Sequence, residues 1–558
     1  MHRWIRLLLA LGAAPLGAGT ARAQSADTLD LVVASTTDVH GHLRGWDYYA
    51  AAPDTSRGLS RAATIVDSLR ETAPGRVVLV DAGDLLQGTP LTYVAARVAP
   101  RATHPVIAAM NAMRYDAAAV GNHEFNYGLP TLRRAIAGAA FPFLAANART
   151  AAGRPAFPAL RLIRRGGARV AIVGATTPGS NAWDRDNLRG RLVIGDIVPA
   201  VRAAVDSAHR ARADVVIVLL HSGLNEPASY DTAATGLPSE NVAARVAREV
   251  PGIDLIVYGH SHRQMADTTI AGTLLVQPKN WATSVGVAHL RLARERGGKG
   301  RWRVVAKWSR LVRAAGHAEA PEVLAATRAA HDATVRYVAT PVGYTGVAWR
   351  ADSARVADTP LIDLVLDVER RAAHADLAST AAFSLDASLD SGAVTVAELA
   401  RLYPYENTLQ AVRVTGRQLR QYLEYSARYF GTWGTTEPAV DPGVPGYNFD
   451  IVAGAEYTID LSKPVGERIT RLTVHGRAVA DSDHFTLALN NYRRTGGGGY
   501  AMLRGAPVVF DGQTEIRQLL IDEVKRRKRI DPSDVFTRNW EIVPRGAATR
   551  AYETMVHP

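Results

Sequence analysis

The chain has 558 residues, which is too long for one ordinary hydrophobic core and predicts two domains. Hydrophobic residues make up 47% and charged residues 21% of the sequence, which excludes a disordered, fibrous or membrane-embedded chain. The formal net charge is +12, but the arginines are scattered and not bunched with aromatic residues, so we expect phosphorylated small molecules and no nucleic acid polymer as partners.

Residues 1–23 have the pattern of a secretory signal peptide. Arg3 and Arg6 precede an apolar run from Leu7 to Leu16, and small residues end at Ala23. The apolar run is shorter than the roughly 20 residues that a membrane span needs, so an uncleaved anchor is the less favoured alternative. No later segment is apolar enough to span a bilayer. We therefore expect an exported, periplasmic protein with no membrane span after signal removal.

The sequence from about residue 29 to 290 alternates short apolar runs, rich in β-branched residues, with amphipathic alanine-rich stretches. This alternation is typical of strands covered by helices and predicts an α/β domain with a largely buried sheet. We assign residues 24–317 to this first domain. The clearest predicted strands span residues 29–35, 76–81, 117–120, 169–175, 214–220 and 254–258.

Residues 318–337 are rich in alanine, arginine and glutamate and predict one exposed helix between two domains. We place this linker helix at 318–345, a second α/β domain at 346–545 and a C-terminal tail at 546–558. Within the second domain, the stretch from Thr415 to Gln418 has the pattern of a capping box at the start of a helix.

Five short motifs each follow the C-terminal end of a predicted strand, the edge at which the loops of an open α/β sheet converge on a ligand. Asp38 and His40 are two residues apart, so an extended segment points both side chains to one side, and His260 and His262 repeat this spacing. Together the motifs predict one metal site. They span residues 37–41, 83–84, 121–124, 221–223 and 259–262.

The chain contains no cysteine, so the metal ligands must be histidine, aspartate, glutamate or asparagine. Two neighbouring ions need a bridging anion, and Asp84 lies in a glycine-flanked loop that allows close approach. Asn122 adds a neutral oxygen and His221 a nitrogen. Each residue alone has an ordinary alternative, a satisfied polar side chain for a histidine and a turn or helix cap for an aspartate. The occurrence of all five motifs in chain order favours the metal site.

In the same order, residues 37–41, 83–88, 121–125 and 259–262 resemble the motifs of the calcineurin-like metallophosphoesterases, and within them of the exported 5′-nucleotidase group. The resemblance covers nearly the whole mature chain. It implies an α/β fold with an N-terminal four-layer α/β/β/α sandwich, a linker helix and a C-terminal α/β substrate-binding domain. It also implies two divalent metal ions, for which Zn²⁺, Mn²⁺, Co²⁺ or Fe²⁺ all suit such ligands.

Carried over by position, the resemblance implies two ligand sets that share one residue. One ion is held by Asp38, His40, Asp84 and His262, and the other by Asp84, Asn122, His221 and His260.

The resemblance also implies that His123 is free for catalysis beside the ligand Asn122, stabilising charge on the phosphoryl group or on the leaving oxygen. We assign both His123 and Asn122 to catalysis. Many 5′-nucleotidases place an aspartate three residues after this histidine, whereas this chain has Asn126. The carboxylate that orients His123 is therefore missing or supplied elsewhere.

Hydrolysis of a nucleotide requires a surface for the base, and aromatic rings provide one by stacking. Segments 446–450 and 490–500 offer rings on flexible loops, and the family uses matching segments as an aromatic clamp. We predict Phe449 or Tyr447 on one side of the base and Tyr500 on the other, with Tyr492 in reserve. The alternative is that these rings belong to the core or to turns. The glycine run at 496–499 lacks the Lys-Ser/Thr ending of a phosphate loop.

Typical 5′-nucleotidases carry an Asn-Gly-Gly-x-Arg element that binds the substrate phosphate, whereas residues 379–384 here read Ser-Thr-Ala-Ala-Phe-Ser. Together with Asn126, segment 403–407 and the Tyr447 segment, this is more similar to the periplasmic 2′,3′-cyclic-nucleotide 2′-phosphodiesterase/3′-nucleotidase branch. We therefore predict opening of the cyclic diester followed by removal of the 3′-phosphate. The alternatives are a 5′-nucleotidase or UDP-sugar hydrolase, a nucleotide-binding surface protein without catalysis, and a sulfur-compound hydrolase.

Overall fold

A computed structural model describes residues 27–556, except for 101–102, 229, 231, 295–299 and 406. The predicted signal peptide at 1–23 lies outside the described residues. Within the described part of the chain, no helix combines the length and the apolar character that crossing a membrane requires.

Two six-stranded sheets face each other in the first half of the chain, and each combines a run of parallel strands with two antiparallel pairs. The shared core between them contains Leu31 and Val33 from the first sheet and Ile172 and Ile217 from the second. In spatial order, the first sheet contains Arg303–Arg313, Ser284–Arg294, Asp27–Thr36, Val77–Asp81, Ala117–Ala119 and Phe143–Leu144. The second contains Met265–Ile270, Thr273–Gln277, Leu255–Tyr258, Val215–His221, Ala168–Thr176 and Leu160–Arg165.

Helices cover the outer faces of both sheets, because each presents an apolar face to a sheet that is hydrophobic on both sides. The predicted four-layer α/β/β/α sandwich is confirmed. The six predicted strands are also confirmed to within two residues at each end, but they divide between two sheets, where the sequence pattern had indicated one. The main covering helices are Leu59–Thr72, Pro105–Ala112 and Leu129–Ala137 on the first sheet and Ile197–Arg210 and Ala243–Glu249 on the second.

Shorter elements complete this half. They are the strands Trp46–Asp47, Ala52–Pro53, Ala148–Thr150 and Leu192–Ile194, the helices Pro90–Tyr93, Ser180–Trp183, Arg185–Leu188 and Thr232–Thr235, and a π-helix at Val94–Val98.

The predicted linker helix spans Pro321–Val338, and the strand Pro341–Thr345 follows where the sequence had indicated more helix. One face of this helix is buried, through Val323, Thr327, Ala330, Thr334 and Val338. The expectation of an exposed helix was therefore wrong, because these residues form a stripe at helical spacing that packs against the first half. Buried residues up to Ala330 belong to the first core, and those from Val342 onward belong to a second core.

The second half is an α/β region with a five-stranded sheet at its centre. The capping box at Thr415 is confirmed, since its hydroxyl accepts from the Gln418 amide at 3.2 Å while the Gln418 side chain accepts from the Thr415 amide at 2.9 Å. The expected tail is a helix, Arg545–Val556, because Ala547 and Ala551 pack into the second core. The sheet contains, in spatial order, Asp450–Ala453, Leu377–Ala381, His484–Asn490, Thr408–Thr415 and Val508–Glu515.

Smaller sheets and further helices surround it. The other strands are Trp349–Arg350, Ser388–Leu389, Gly392–Thr395, Ala455–Asp460, Ile469–Val474, Arg477–Ala478, Arg529–Ile530 and Trp540–Val543. The helices are Pro360–Ala372, Val396–Leu402, Gly416–Ala427, Asn491–Arg494 and Ile516–Arg527, with 3-10 turns at Gly446–Asn448, Gly497–Gly499, Ala501–Leu503 and Pro532–Asp534.

Candidate metal centre

Five loops at the carboxyl ends of parallel strands bring the predicted ligands together. The strands Asp27–Thr36, Val77–Asp81 and Ala117–Ala119 of the first sheet lead to Asp38 and His40, to Asp84 and to Asn122. Val215–His221 ends on His221 itself, and Leu255–Tyr258 leads to His260 and His262. The site therefore lies where the edges of both sheets meet.

The backbone of these loops is unusual. Positive φ angles, which non-glycine residues rarely adopt, occur at five of the seven predicted ligands. A Cβ atom at Gly259 would lie 2.0 Å from the Thr37 hydroxyl, so only glycine allows this close approach. The strained residues are Asp38 (50°), His40 (49°), Asp84 (63°), His260 (72°) and His262 (53°).

Asp38, His40 and His262 form one cluster of donor atoms that all lie within 4.8 Å of one another. The Nε2 atoms of His40 and His262 are 3.0 Å apart, and His262 Nε2 is 3.6 Å from a carboxylate oxygen of Asp38. Two imidazole nitrogens that point at each other at this distance need a proton or a cation between them.

Asp84, His221 and His260 form a second cluster of the same size. His221 Nε2 lies 3.0 Å from Asp84 Oδ2 and 3.0 Å from the side-chain oxygen of Asn122. Asp84 Oδ2 is also 3.8 Å from His40 Nε2 in the first cluster. Asp84 is thus the residue that both clusters share.

Hydrogen bonds to the outer nitrogens fix the orientation of three histidine rings. His40 Nδ1 donates to the Gln87 carbonyl at 2.8 Å, and His221 Nδ1 donates to the Ala82 carbonyl at 2.9 Å. Because a carbonyl only accepts, both rings present an unprotonated Nε2 to the centre when neutral. His260 Nε2 lies 3.2 Å from Glu240 Oε2, which leaves Nδ1 of that ring for a ligand.

The electrostatics of the site suit cations. Burial, followed by the charge of His123, holds the pKa of His40 well below its usual range, so its lone pair is free. Burial lowers the pKa of His221, but the Asp84 carboxylate outweighs it and raises that pKa to about 10. The carboxylates therefore stabilise positive charge at the centre, and a set of His, Asp and Asn donors fits borderline divalent ions.

Glu124 has a part in this centre that the sequence pattern did not reveal. Its buried carboxylate accepts from the backbone amides of Gly121, Asp84, Leu85 and Leu86 at 2.5, 3.0, 2.6 and 3.1 Å. It therefore ties the Asp84 loop to the Asn122 loop. The motif at 121–124 contained this residue, but only the fold shows which amides face it.

His123 lies at the mouth of the centre with 33% of its side chain exposed, and its Nε2 atom is 4.0 Å from Asp84 Oδ2. Its ring contacts the His40 ring edge to face at 4.9 Å between centroids. Two histidines outside the motifs lie elsewhere, since His42 stacks on Trp281 and His289 on Trp308.

The aromatic rings of the second half differ from the prediction. Phe449 and Tyr500 are 1% and 0% exposed, so neither ring is available to a base. Phe449 packs between Tyr429 and Phe430, and the Tyr500 hydroxyl donates to the Asn448 carbonyl at 2.8 Å. Their assignment to the clamp was wrong, because both rings fill the second core.

Two other tyrosines present their rings to solvent. Tyr447 is 43% exposed and Tyr405 is 41% exposed. Burial, with a smaller contribution from Tyr447, raises the pKa of Tyr405 to about 12. Burial raises the pKa of Tyr492 to about 12 as well, with smaller contributions from Tyr447 and Glu240.

The glycine run at 496–499 serves close packing. A Cβ atom at Gly497 would lie 2.7 Å from the Tyr492 ring, and one at Gly499 would lie 1.9 Å from the Tyr425 hydroxyl. In segment 379–384, the Ser379 hydroxyl is buried and hydrogen-bonded to Tyr422 at 2.9 Å, which makes it part of the core.

Comparisons with known proteins match both halves. The calcineurin-like phosphoesterase family matches residues 31–264, and the 5′-nucleotidase C-terminal domain matches residues 340–505. The chain is 31% identical to a 2′,3′-cyclic-nucleotide 2′-phosphodiesterase/3′-nucleotidase of Salmonella typhimurium, over 93% of this chain and 90% of that protein. It is 30% identical to a trifunctional nucleotide phosphoesterase of Bacillus subtilis over 96% of its own length, which is only 40% of that longer protein. Among solved structures, a putative 5′-nucleotidase from Staphylococcus aureus superposes with a TM-score of 0.78 at 26% identity, over 92% of this chain and 100% of that one.

Proposed function

Because the chain belongs to the calcineurin-like metallophosphoesterases and carries the C-terminal domain of the 5′-nucleotidases, we propose that it is a 2′,3′-cyclic-nucleotide 2′-phosphodiesterase with 3′-nucleotidase activity. Membership of the family makes it a hydrolase of phosphoric esters. The choice of ester is supported by the 31% identity to a relative of that name across almost the whole chain. Export to the periplasm is part of the proposal and is supported by the pattern of residues 1–23.

The two donor clusters would hold two divalent ions, with Asp84 between them. Such a pair supplies Lewis acidity toward the phosphate oxygens and an activated water for in-line attack. In this assignment, one ion has the ligands Asp38, His40, Asp84 and His262, and the other has Asp84, Asn122, His221 and His260.

His123 is the group of this chain that is placed to act on the phosphoryl group. Among the described residues, none accepts a hydrogen bond from His123 Nε2, so this atom is available to a phosphoryl oxygen. It lies 4.0 Å from Asp84 Oδ2 at the mouth of the centre. A hydrogen bond from Nε2 would stabilise the charge that develops on the phosphoryl or leaving oxygen. Such donors are worth most where charge appears only in the transition state.

The base would stack on the exposed rings of Tyr447 and Tyr405. Tyr447 lies on the turn Gly446–Asn448, which Arg493 joins to the helix that contains Tyr492. A nucleotide bound across the two halves would place its ribose phosphate toward His123. Stacking tolerates every base, so the proposal includes no base preference.

The test is a phosphate-release panel with the purified metal-loaded protein, with metal analysis of the same preparation. We expect opening of 2′,3′-cyclic AMP and release of phosphate from 3′-AMP to be faster than release from 5′-AMP. Preference for 5′-AMP or UDP-glucose would replace the proposal with a 5′-nucleotidase or nucleotide-sugar hydrolase. Tight nucleotide binding without turnover would favour a nucleotide-binding surface protein. Turnover of sulfur compounds alone would favour a sulfur-compound hydrolase.

The catalytic assignment has its own control. His123→Ala is expected to lower kcat by roughly 10²- to 10³-fold, the usual cost of losing a hydrogen-bond donor that stabilises charge in the transition state. His289→Ala removes a histidine that stacks on Trp308 away from the centre and should leave kcat unchanged. Equal turnover of the two variants would count against His123.

A further inference from the structure

Asn126 lies beside His123, at the position where the resemblance to many 5′-nucleotidases would imply an aspartate. The His123 Nδ1 atom lies 2.6 Å from the Asn126 side-chain oxygen. An amide oxygen accepts a hydrogen bond but carries less negative charge than a carboxylate, so Asn126 alone would stabilise and orient the imidazole weakly.

Asp184 supplies a carboxylate one step further away. The Asn126 Nδ2 atom donates to Asp184 Oδ1 at 3.0 Å, and Asn187 Nδ2 approaches the same oxygen at 3.4 Å. Asp184 is 5% exposed, and among the described residues its Oδ2 atom has no hydrogen-bond partner. Burying a carboxylate oxygen that accepts no hydrogen bond costs folding free energy, and such groups are typical of functional positions.

The order of these contacts fixes the direction of the Asn126 amide. Burial raises the pKa of Asp184 to about 6, so at pH 8 the carboxylate is ionised and only accepts. The amide NH₂ group must therefore face Asp184, and the amide oxygen must face His123. It follows that Nδ1 of His123 carries a proton in both the neutral and the protonated ring, and that Nε2, which faces the metal centre, donates a hydrogen bond to a phosphoryl oxygen in the protonated ring.

We propose that Asp184 positions the catalytic His123 through the Asn126 amide, and so replaces the direct carboxylate partner. This inference rests on the proposed function for one point, the nucleotide ester whose hydrolysis is used to measure kcat. An amide does not relay a proton at neutral pH, so Asp184 orients and stabilises the imidazole without exchanging a proton with it. The local fold holds this chain of contacts, because Asn187 also donates to the Phe125 carbonyl at 3.0 Å.

The experiment compares four variants of the full-length, metal-loaded protein at pH 8. Asp184→Asn is expected to lower kcat about 10- to 100-fold with little change in KM, the usual effect of losing an outer-shell partner. Asp186→Asn alters an exposed carboxylate on the same helical turn and should match wild type. Asn126→Asp alone places a second carboxylate about 3 Å from Asp184 and should also lower kcat. The double variant Asn126→Asp/Asp184→Asn restores one carboxylate, now in direct contact with His123, and should recover most of the wild-type kcat.

A purely structural role for Asp184 would not produce this recovery. The inference is overturned if Asp184→Asn equals Asp186→Asn, or if the double variant is no better than Asp184→Asn. Metal content and the midpoint of thermal unfolding are measured for every variant, so that losses of ions or of folded protein are separated from the effect on kcat.

A second readout does not depend on turnover. With ¹⁵N-labelled histidine, NMR of the wild-type protein should show a protonated Nδ1 at His123, assigned by loss of its signal in His123→Ala. An unprotonated Nδ1 would overturn the inference. If wild type hydrolyses none of the nucleotides, the proposed function fails, and an unprotonated Nδ1 would still overturn the inference about Asp184 independently of turnover.

Discussion

At the scale of single residues, the metal centre depends on how its histidines are held. Glu240 is buried and lies 3.2 Å from His260 Nε2, while the ring of Trp183 stacks on the His260 ring at 5.6 Å between centroids. A carboxylate behind a ligand histidine fixes its tautomer and raises its basicity. His260 therefore has the most completely defined outer contacts of the second cluster.

We expect Glu240→Gln to weaken divalent ion binding about 10- to 100-fold, because the amide holds the His260 ring less strongly. Titration of metal into chelator-stripped protein measures this directly. Glu249→Gln, in an exposed pair with Arg245, is the matched control and should bind as wild type does. Equal affinities for the two variants would contradict a supporting role for Glu240.

The exposed and buried aromatic residues should respond differently to truncation. Tyr447→Ala is expected to raise KM with little loss of stability, because stacking on a base is worth about 1 to 3 kcal/mol. Phe449→Ala, two residues away in the core, should lower the free energy of unfolding by about 3 to 5 kcal/mol. Steady-state kinetics and urea unfolding of both variants measure the two effects, and an unchanged KM for Tyr447→Ala would remove that ring from the base site.

At the scale of secondary-structure elements, Arg493 joins the turn Gly446–Asn448 to the helix Asn491–Arg494. Its guanidinium pairs with Asp450 at 2.8 Å and donates to the Tyr447 and Gly497 carbonyls at 2.9 and 2.7 Å. The Tyr447 ring is therefore exposed, while the backbone of its turn is fixed by the hydrogen bond from Arg493. This arrangement orders the surface on which we place the base.

Arg493→Met should lower the free energy of unfolding by about 3 to 5 kcal/mol, because it leaves a buried carboxylate without its partner. Arg471→Ala breaks an exposed ion pair with Glu456 and should change the free energy of unfolding by no more than about 1 kcal/mol. Denaturant unfolding of both variants makes the comparison. A small effect of Arg493→Met would mean that water or rearrangement satisfies Asp450.

The helix Pro360–Ala372 contains a buried acid that should make stability depend on pH. Both carboxyl oxygens of Glu369 lack hydrogen-bond partners among the described residues. Burial, with a smaller contribution from the charge of Asp450, raises its pKa well above the ordinary value of 4.5. The folded state thus keeps a proton that the unfolded state releases, so this group lowers stability as pH rises above about 4.5 until the folded pKa is reached.

Glu369→Gln should remove that part of the pH dependence. The free energy of unfolding of wild type is expected to fall more steeply than that of Glu369→Gln between pH 5 and pH 8, as measured by urea unfolding. Glu467→Gln changes an exposed glutamate, so its free energy of unfolding should depend on pH as that of wild type does. Parallel curves for wild type and Glu369→Gln would show that the carboxyl is solvated.

At the scale of the whole molecule, the two halves meet beside the metal centre. Tyr93 donates to Gln518 at 3.2 Å, Arg97 lies 3.8 Å from Glu515, and Arg401 donates to the Tyr49 carbonyl. These contacts hold the second half against the first. A substrate that spans the halves is consistent with this arrangement.

Removal of metal should destabilise the first half as a unit. The ligands come from five loops on two sheets, so the ions bind the folded state and not the unfolded chain. At a free ion concentration about 1,000-fold above Kd the ions would add about 4 kcal/mol, and chelator should lower the midpoint of thermal unfolding accordingly. Asp84→Asn removes the shared ligand and should be insensitive to chelator. An unchanged wild-type midpoint would argue against the site.

The sequence by itself determined the strands that end in the metal motifs, because their periodicity and their polar endings are local. It also pointed to Asp38, His40, Asp84, Asn122, His221, His260 and His262 as a set, since residue type and spacing suffice for that. Only the tertiary structure decided how the strands divide between two sheets, which face of the Pro321–Val338 helix is buried, and which rings are exposed. Burial of Phe449 and Tyr500 depends on neighbours far away in the chain, such as Trp540 and Tyr422. Asp184 could not be found from the sequence for the same reason, because its contact with Asn126 joins residues 58 positions apart.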